Sequence, residues 1–564
     1  MKVLLVGSGG REHALAWKMA KSNKVSKIFV APGNGGTAIE NKCENINITD
    51  IDELVVFAKN NDIALTVVGP EDPLTKGITD KFKEAGLKCF GPDKNGAQLE
   101  GSKSFSKDFM KKYGVKTAEY GTFTDCNEAK AYLESCEYPI VIKADGLAAG
   151  KGVVIAETKE MALNTIDDFM VSDIFKGAGQ KVVIEEFLEG VEASILSICD
   201  GKTIIPFISA KDHKQIFDGN NGPNTGGMGV VAPNPYVTEE VMKDFEENIM
   251  TKTLNGIKEE GFDFKGIIFF GLMITKKGTY LLEYNVRMGD PETQSVLSLM
   301  ESDLVEIIEA ALEQRLNEVE VKWMDGACVN VVLASGGYPG SFEKSFEITI
   351  DESIKDKVFL AGAQLQDEIL RTSGGRVLSV VGLGTTVEEA RKAYDALSDN
   401  QKAMIEDAKK ALEEREAEIK RLQELADNTD KPDPDNKDDD KKDDNKDNNK
   451  DKNTSTTDKN NNKGSGTTTG TTNKGSNTTT GTTTNKGTQS GSTTKTTGTT
   501  TGSQAQTNGK QGTDSSVKSA KTGDETDFLL PMAGLIGASG AFAGVILYYK
   551  KRKKDTGVEK KEEK

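Results

Sequence analysis

Residues 428–516 contain no Val, Ile, Leu, Phe, Trp or Tyr. A segment without large apolar side chains cannot offset the entropy of ordering its backbone, so no continuous globule can run the length of the 564 residues. Residues 428–527 are therefore read as a disordered low-complexity linker. It opens in mixed charge (DKPDPDNKDDDKKDDNKDNNK) and passes into Thr/Gly/Asn/Lys repeats, the composition of an extended tether. Upstream, residues 1–384 alternate apolar runs with turn signals, and that length divides into two or more domains.

Three further segments flank the linker. Residues 386–427 carry helical periodicity, with Ser398 or Asp399 as N-cap of a second helix. Its apolar stripe (Met404, Ala408, Ala411, Leu412, Ile419, Leu422, Leu425) suits either a partner helix or a solvated spacer. Residues 528–549 (FLLPMAGLIGASGAFAGVILYY) hold no charge and are followed at once by KKRKK, which predicts a transmembrane helix with a basic cytoplasmic tail at 550–564. The first apolar run, VLLV, is too short for a signal peptide. Six cysteines, none in a C-x-x-C pair, suggest reduced structural thiols rather than zinc or dithiol chemistry. A net charge of −17 argues against nonspecific nucleic-acid binding.

The chemistry lies in the front part. Lys2 to Val6 reads as a strand, Gly7-Ser8-Gly9-Gly10 as a turn, and REHALAW as the start of a helix. That arrangement aims free backbone N–H groups and a positive dipole at one point, which suits an anion or simply a tight turn. The third glycine of a dinucleotide fingerprint is missing, so NAD is not expected. APGNGG after Ile28-Phe29-Val30, and GPEDP after Leu65 to Val68, would bring two more loops to the same carboxyl edge of a parallel sheet. Farther on, YPIVIK ends in Lys143, and ADGLAAGKGV carries Lys151 on a small-residue loop. Two cations over such a loop suit a triphosphate, although the spacing is not that of a P-loop. VVIEEFL brings Glu185 to a strand end, and Glu192 beyond it is either a ribose acceptor or a solvated acidic turn. In LLEYNVRMGDPE, strand alternation would put Glu283, Asn285 and Arg287 on one face. A carboxylate, an amide oxygen and a guanidinium there make a Mg²⁺ and phosphate site; the plainer alternative is an ordinary polar face of a sheet.

Taken in order, GSGGREHAL, PGNGG, GPE, KADGLAAGKGV, DHK with FDG, GPNTGGMG, EYNVRMGDPETQ and SGGRVL resemble the phosphoribosylamine-glycine ligase (glycinamide ribonucleotide synthetase) family of ATP-grasp carboxylate-amine ligases. The resemblance covers residues 1–384. It implies an α/β fold: a parallel-sheet N-terminal domain at 1–102, an ATP-grasp domain at 103–314 and a small α+β C-terminal domain at 315–385. It implies an enzyme that uses ATP with Mg²⁺ or Mn²⁺ to join glycine to 5-phosphoribosylamine through a glycyl phosphate. By the resemblance, Glu283 and Asn285 would hold the metal, Arg287 the acyl phosphate, and Lys143 and Lys151 the ATP phosphates. Glu185, Leu188 and Glu192 would line the adenosine pocket. Asp212 would serve catalysis near glycine, beside Asn224, Thr225, Gly226 and Gly227, while Gly9, Gly10 and Asn34 would lie near the sugar phosphate. His13 and His213 are not required as bases.

Two departures stand out. Gln215 and Ile216 occupy positions where a basic and a small residue are expected, and the match fades after Thr386, which predicts a truncated C-terminal domain. The rest of the chain resembles the stalk and anchor of Gram-positive surface proteins, with Thr522-Gly523 in SAKTGDETD as a divergent sortase signal. The catalytic part is expected in the cytoplasm by family, whereas the tail predicts membrane or cell-wall anchoring. A surface binding protein with a ligase-like head, or two joined reading frames, are the alternatives to a tethered enzyme.

Overall fold

The structure is a computed structural model, and it describes residues 1–146, 152–175, 177–217, 219 and 221–396. The predicted helix from Ser398, the linker, the 528–549 helix, Thr522-Gly523 and Lys151 lie outside the described residues. Among the described residues no helix is long and apolar enough to cross a membrane.

KVLLVG forms β1 (Lys2–Gly7), and its apolar residues are buried on both faces, as a central parallel strand requires. β2 (Lys27–Pro32) and β4 (Ile63–Val68) flank it in parallel, with β3 (Cys43–Asn45) beyond β2 and β5 (Cys89–Pro92) beyond β4. The register aligns Gly7 with Pro32, and the Gly33 and Gly69 amides bond to Gly7 and Val6 carbonyls at 3.1 and 2.9 Å. The three predicted loops therefore do gather at the carboxyl edge of the sheet.

A small antiparallel sheet follows, ordered β6 (Tyr120–Phe123), β9 (Val182–Glu186), β7 (Ile140–Ala144), β8 (Val153–Ala156). Its separate core of Leu133, Ile140, Ile142, Ile166, Phe169, Val182 and Ile184 makes it a body of its own. β10 (Val191–Cys199), β11 (Ile204–Pro206), β16 (Phe264–Thr275) and β17 (Gly278–Asn285) form an antiparallel array, joined to the first sheet where Phe264 and Lys265 pair with Pro92 and Gly91. Between them in sequence lie β12 (Lys211–Asp212), β13 (Gln215–Phe217), β14 (Asn221–Asn224) and β15 (Gly229–Ala232).

The last sheet runs β12, β15, β18 (Ala327–Ala334), β22 (Arg376–Gly384), β19 (Val358–Leu360), with the hairpin β20 (Ala363–Gln366) and β21 (Ile369–Thr372) beside it. The truncation expected after Thr386 is not what the fold shows: the chain continues into the helix Val387–Asp395, whose Ala390 and Tyr394 are buried in the core of this sheet. Glycine at 382 and 384 permits that contact, since a Cβ there would meet the Ala390 backbone at 2.2 and 2.3 Å. Ile216, one of the two departures, is buried with Met228, Val332 and Ala334. Its size is thus accounted for by packing.

Candidate active site

β17 carries the cluster picked out by its spacing, with one irregularity. Gly271 on β16 pairs with Glu283 while the next residue pairs with Leu281, so Leu282 is a bulge that shifts the alternation. Leu281 and Tyr284 point into the core, the latter with its hydroxyl 2.7 Å from Thr253 Oγ1, while Glu283 and Asn285 are half-buried on the other side. Arg287 lies past the strand end and turns back to donate from Nη2 to Asn285 Oδ1 at 2.9 Å. Two carboxylates of the N-terminal part fix its fork: Glu100 Oε1 at 2.7 Å from Nη2 and Glu71 Oε2 at 3.3 Å from Nε. Glu100 also accepts from the Val286 amide at 2.8 Å.

Among the described residues no donor hydrogen-bonds the Glu283 carboxylate. Burial opposes its ionisation, but Lys143, Lys214, Lys103 and Arg287 outweigh burial and hold its carboxyl below the usual range. A carboxylate free of donors beside an amide oxygen is a hard-oxygen pair, which fits Mg²⁺ or Mn²⁺. No described group of three or more His, Cys, Asp or Glu residues is set for a metal. Such a pair therefore suits a cation that completes its shell with phosphate oxygens and water.

A chain of buried charge stands behind this face. Glu185 lies between two ammonium groups, with Oε2 at 3.0 Å from Lys107 Nζ and Oε1 at 3.0 Å from Lys143 Nζ, all three side chains at most 8% exposed. Lys107, from the helix Lys103–Tyr113, also donates to Thr117 Oγ1 at 2.7 Å. Burial pushes the Lys107 ammonium down to about 8 against the pull of Glu185, and burial likewise lowers Lys103. Two lysines on one carboxylate leave a surplus positive charge, the requirement of a polyphosphate site. Lys143 reaches this cluster from β7. The Glu185 carboxylate, expected at the nucleoside, is engaged by lysines; Leu188 is buried just beyond it, and Glu192 pairs with Lys214 at 2.6 Å. With both side chains about 40% exposed (39% and 44%), that last pair contributes little to stability.

The turn at Gly9-Gly10 differs from its expectation. Instead of offering all its N–H groups to an outside anion, the helix Gly10–Ala20 is met by two of the protein's own carboxylates. The Gly9 amide donates to Glu12 Oε2 at 2.5 Å and the Arg11 amide to Asp290 Oδ2 at 3.4 Å. The helix dipole favours this placement. Burial opposes ionisation of Asp290, yet Arg376 and Arg11 hold its carboxyl low. Asn34 is also engaged: Nδ2 donates to the Ser8, Gly9 and Leu360 carbonyls at 3.0, 3.0 and 2.9 Å, and Oδ1 accepts from the Gly36 and Thr37 amides. It ties the first two loops to β19. His13 does the same, its Nδ1 accepting from the Leu360 amide at 2.8 Å, and His213 is kept neutral by burial and Lys211.

The Asn224 to Gly227 segment is tied to Lys214, two residues beyond Asp212. The Thr225 hydroxyl donates to the Lys214 carbonyl at 2.6 Å, and Arg376 Nη1 donates to the Gly226 and Asp290 carbonyls, each at 2.8 Å. At φ +108° and with Pro291 Cδ only 2.5 Å from where a Cβ would stand, position 227 requires glycine. Arg376, Arg11, Lys103, Lys107, Glu71, Glu100 and Asp290 belong to this assembly but were not assigned roles from sequence. Arg11, Glu71, Asp290 and Arg376 lie inside the family motifs. Glu100 and Lys107 lie in helices that look ordinary until they fold against β17 and β9.

Comparison with known proteins agrees with this geometry. The phosphoribosylglycinamide synthetase family matches in three consecutive pieces: its N domain at residues 1–100, its ATP-grasp (A) domain at 101–293 and its C domain at 328–408. The phosphoribosylamine–glycine ligase of Clostridium acetobutylicum is 65% identical over 395 residues, which span 70% of this chain and 95% of the relative. That of Fusobacterium nucleatum is 53% identical, over 70% and 94% respectively. The crystal structure of the Thermotoga maritima phosphoribosylamine–glycine ligase superposes with a TM-score of 0.61 at 36% identity, covering 70% of this chain and 96% of that one. Matched in all three domains, this mixed α/β chain with its ATP-grasp fold belongs to the phosphoribosylglycinamide synthetase family.

Proposed function

We infer that this chain joins glycine to 5-phosphoribosylamine at the expense of ATP, through a glycyl phosphate, giving glycinamide ribonucleotide, ADP and phosphate. The observation that carries the reading is the donor-free Glu283 carboxylate attended by Lys143, Lys214, Lys103 and Arg287. Phosphoryl transfer and attack of an amine on an acyl phosphate need no protein nucleophile, only positioning and charge. Lys143 and Lys107, with Lys151 on the glycine loop, take the ATP phosphates. Arg287, held rigid by Glu71 and Glu100, presents its fork to the acyl phosphate. Glu283 and Asn285 hold Mg²⁺ or Mn²⁺, which when bound neutralises charge on the phosphate oxygens. Leu188 and Glu192 border the nucleoside, Asp212 and residues 224–227 border glycine, and the Gly9, Gly10 and Asn34 junction borders the sugar phosphate. The working domains are 1–102, 103–314 and 315–385 with the helix that follows. Purified full-length chain should release phosphate from ATP only when glycine and phosphoribosylamine are both present; release that ignores either substrate would overturn the reading.

The tail extends the proposal to a tethered ligase, carried by the uncharged 528–549 stretch and its KKRKK flank, with Thr522-Gly523 as the sortase position. The full chain should sediment with membranes and a chain lacking 528–549 should not. Equal partition of the two would end the anchoring idea.

A further inference from the structure

We propose that His13 is a positioning residue for phosphoribosylamine: its ring grips the backbone of Leu360 in the C-terminal domain and so sets how closely that domain stands against the Gly9-Gly10 turn. This deepens the ligase reading above and rests on it.

The grip begins with the place of β19 in its sheet. As the last strand of that sheet, β19 turns one side of its backbone away from the ladder. Such an edge leaves N–H and C=O groups without strand partners. Its side chains alternate between two cores: Phe359, 1% exposed, enters the one shared with the helix Gly10–Ala20, and the fully buried Leu360 enters the core of its own sheet. The Ala361 and Gly362 amides return to β22, donating to the Val377 and Arg376 carbonyls, each at 2.8 Å. The backbone groups of Leu360 go instead to the N-terminal domain. Its N–H donates to His13 Nδ1 at 2.8 Å, and its C=O accepts from Asn34 Nδ2 at 2.9 Å.

The surroundings of the ring fix it as an acceptor at that atom. Because Nδ1 receives a hydrogen, the ring carries its own on Nε2, which stands 3.5 Å from Glu40 Oε2. Burial opposes ionisation of Glu40, yet His13, the Asn41 amide and Lys21 hold its carboxyl below the usual range. A Cβ at Gly36 would stand 2.3 Å from Nδ1, so glycine there leaves the ring its place. Phe359 meets the ring edge-on, with centroids 5.7 Å apart. With both ring nitrogens engaged and the side chain buried, His13 acts through Leu360 and not on the reacting groups.

What the grip sets is the wall beside the turn. The His13 amide donates to the Gly9 carbonyl at 3.1 Å, and the same Asn34 Nδ2 that meets Leu360 meets the Ser8 and Gly9 carbonyls at 3.0 Å. One residue past Leu360, the Ala361 Cβ lies 3.3 Å from where a Cβ on Gly10 would stand. The turn that borders the sugar phosphate and the part of the C-terminal domain against it are thus joined at Leu360. None of these bonds involves Lys143, Glu283 or Asp212, so the effect falls on phosphoribosylamine and spares ATP and glycine.

The test compares His13→Gln with His13→Asn in the full chain, with KM measured for each substrate. The amide oxygen of Asn can take the place of Nδ1 and accept from Leu360. The longer Gln carries its polar atoms out toward Glu40 and leaves the buried Leu360 N–H unpaired. His13→Gln should raise KM for phosphoribosylamine on the order of tenfold, with KM for ATP and glycine within about twofold of wild type. His13→Asn should return KM for phosphoribosylamine to within about threefold of wild type, even where loss of the Glu40 contact lowers its thermal stability. Equal phosphoribosylamine constants in the two variants, or a rise shared by all substrates, would overturn the inference and leave the ligase reading standing. A wild type that forms no glycinamide ribonucleotide would end both. Should His13→Gln fail to fold, hydrogen exchange of the wild type decides. Binding and grip favour each other reciprocally, so glycinamide ribonucleotide should slow exchange of the Leu360 amide, and an unchanged rate would sink the proposal.

Discussion

Glu283→Gln is expected to lower kcat by about 10²- to 10³-fold, the range seen when one preorganised charge-stabilising group is removed from a phosphoryl- or acyl-transfer site. Gln keeps the shape of the side chain and removes the charge that Lys143, Lys214, Lys103 and Arg287 surround. The divalent-cation requirement should rise at the same time, because the amide replaces the only carboxylate of the proposed pair. Thermal unfolding should change little, since no described hydrogen bond depends on the Glu283 carboxylate. The cations hold this carboxyl below the usual carboxylate range, so the activity it carries persists into mild acid and fails only as pH falls through that lowered value. Steady-state rates across a Mg²⁺ titration measure the effect. A variant that turns over at the wild-type rate at every Mg²⁺ concentration would remove Glu283 from the metal site.

Glu185→Leu should act on stability and on ATP together. The substitution removes the carboxylate that stands 3.0 Å from each of two buried ammonium groups. Breaking a buried pair in this way costs about 3–5 kcal/mol. Lys107, already down to about 8 through burial, should fall further and lose its proton at neutral pH. ATP must then bring that proton back when it binds, so the variant's ATP affinity should drop as pH rises from about 6.5 to 8, more steeply than in the wild type. Urea unfolding and nucleotide titration at both pH values test the two halves. Wild-type stability with an unchanged ATP profile would mean that the Lys107, Glu185 and Lys143 cluster carries neither.

How far the residues announced this arrangement depends on the range of the contact. The loops after β1, β2 and β4 were legible because apolar runs ending in Gly or Pro specify strands and turns locally, and parallel strands bring their ends to one edge. Glu283, Asn285 and Arg287 were legible from a period of two. Even there the Leu282 bulge, and the return of Arg287 onto Asn285, came from packing against β16 and from Glu71 and Glu100. The turn at Gly9-Gly10 reads as an open anion site until Asp290, remote in sequence, arrives at the helix N-terminus. The side chain of Asn34 is committed to five hydrogen bonds with backbone groups of distant segments, which no local motif announces.

By itself the sequence determined the family and the order of its domains, because those depend on short motifs and local periodicity. It also determined that residues 428–516 can contribute nothing to a hydrophobic core, for want of any large apolar side chain. Only the tertiary structure decided which charges meet. Lys107 faces Glu185 across a helix and a strand, and Arg376 reaches Asp290 from the last sheet. Such pairings follow from the burial of distant segments against one another, where loss of solvent turns ordinary surface residue types into interactions strong enough to position a reaction.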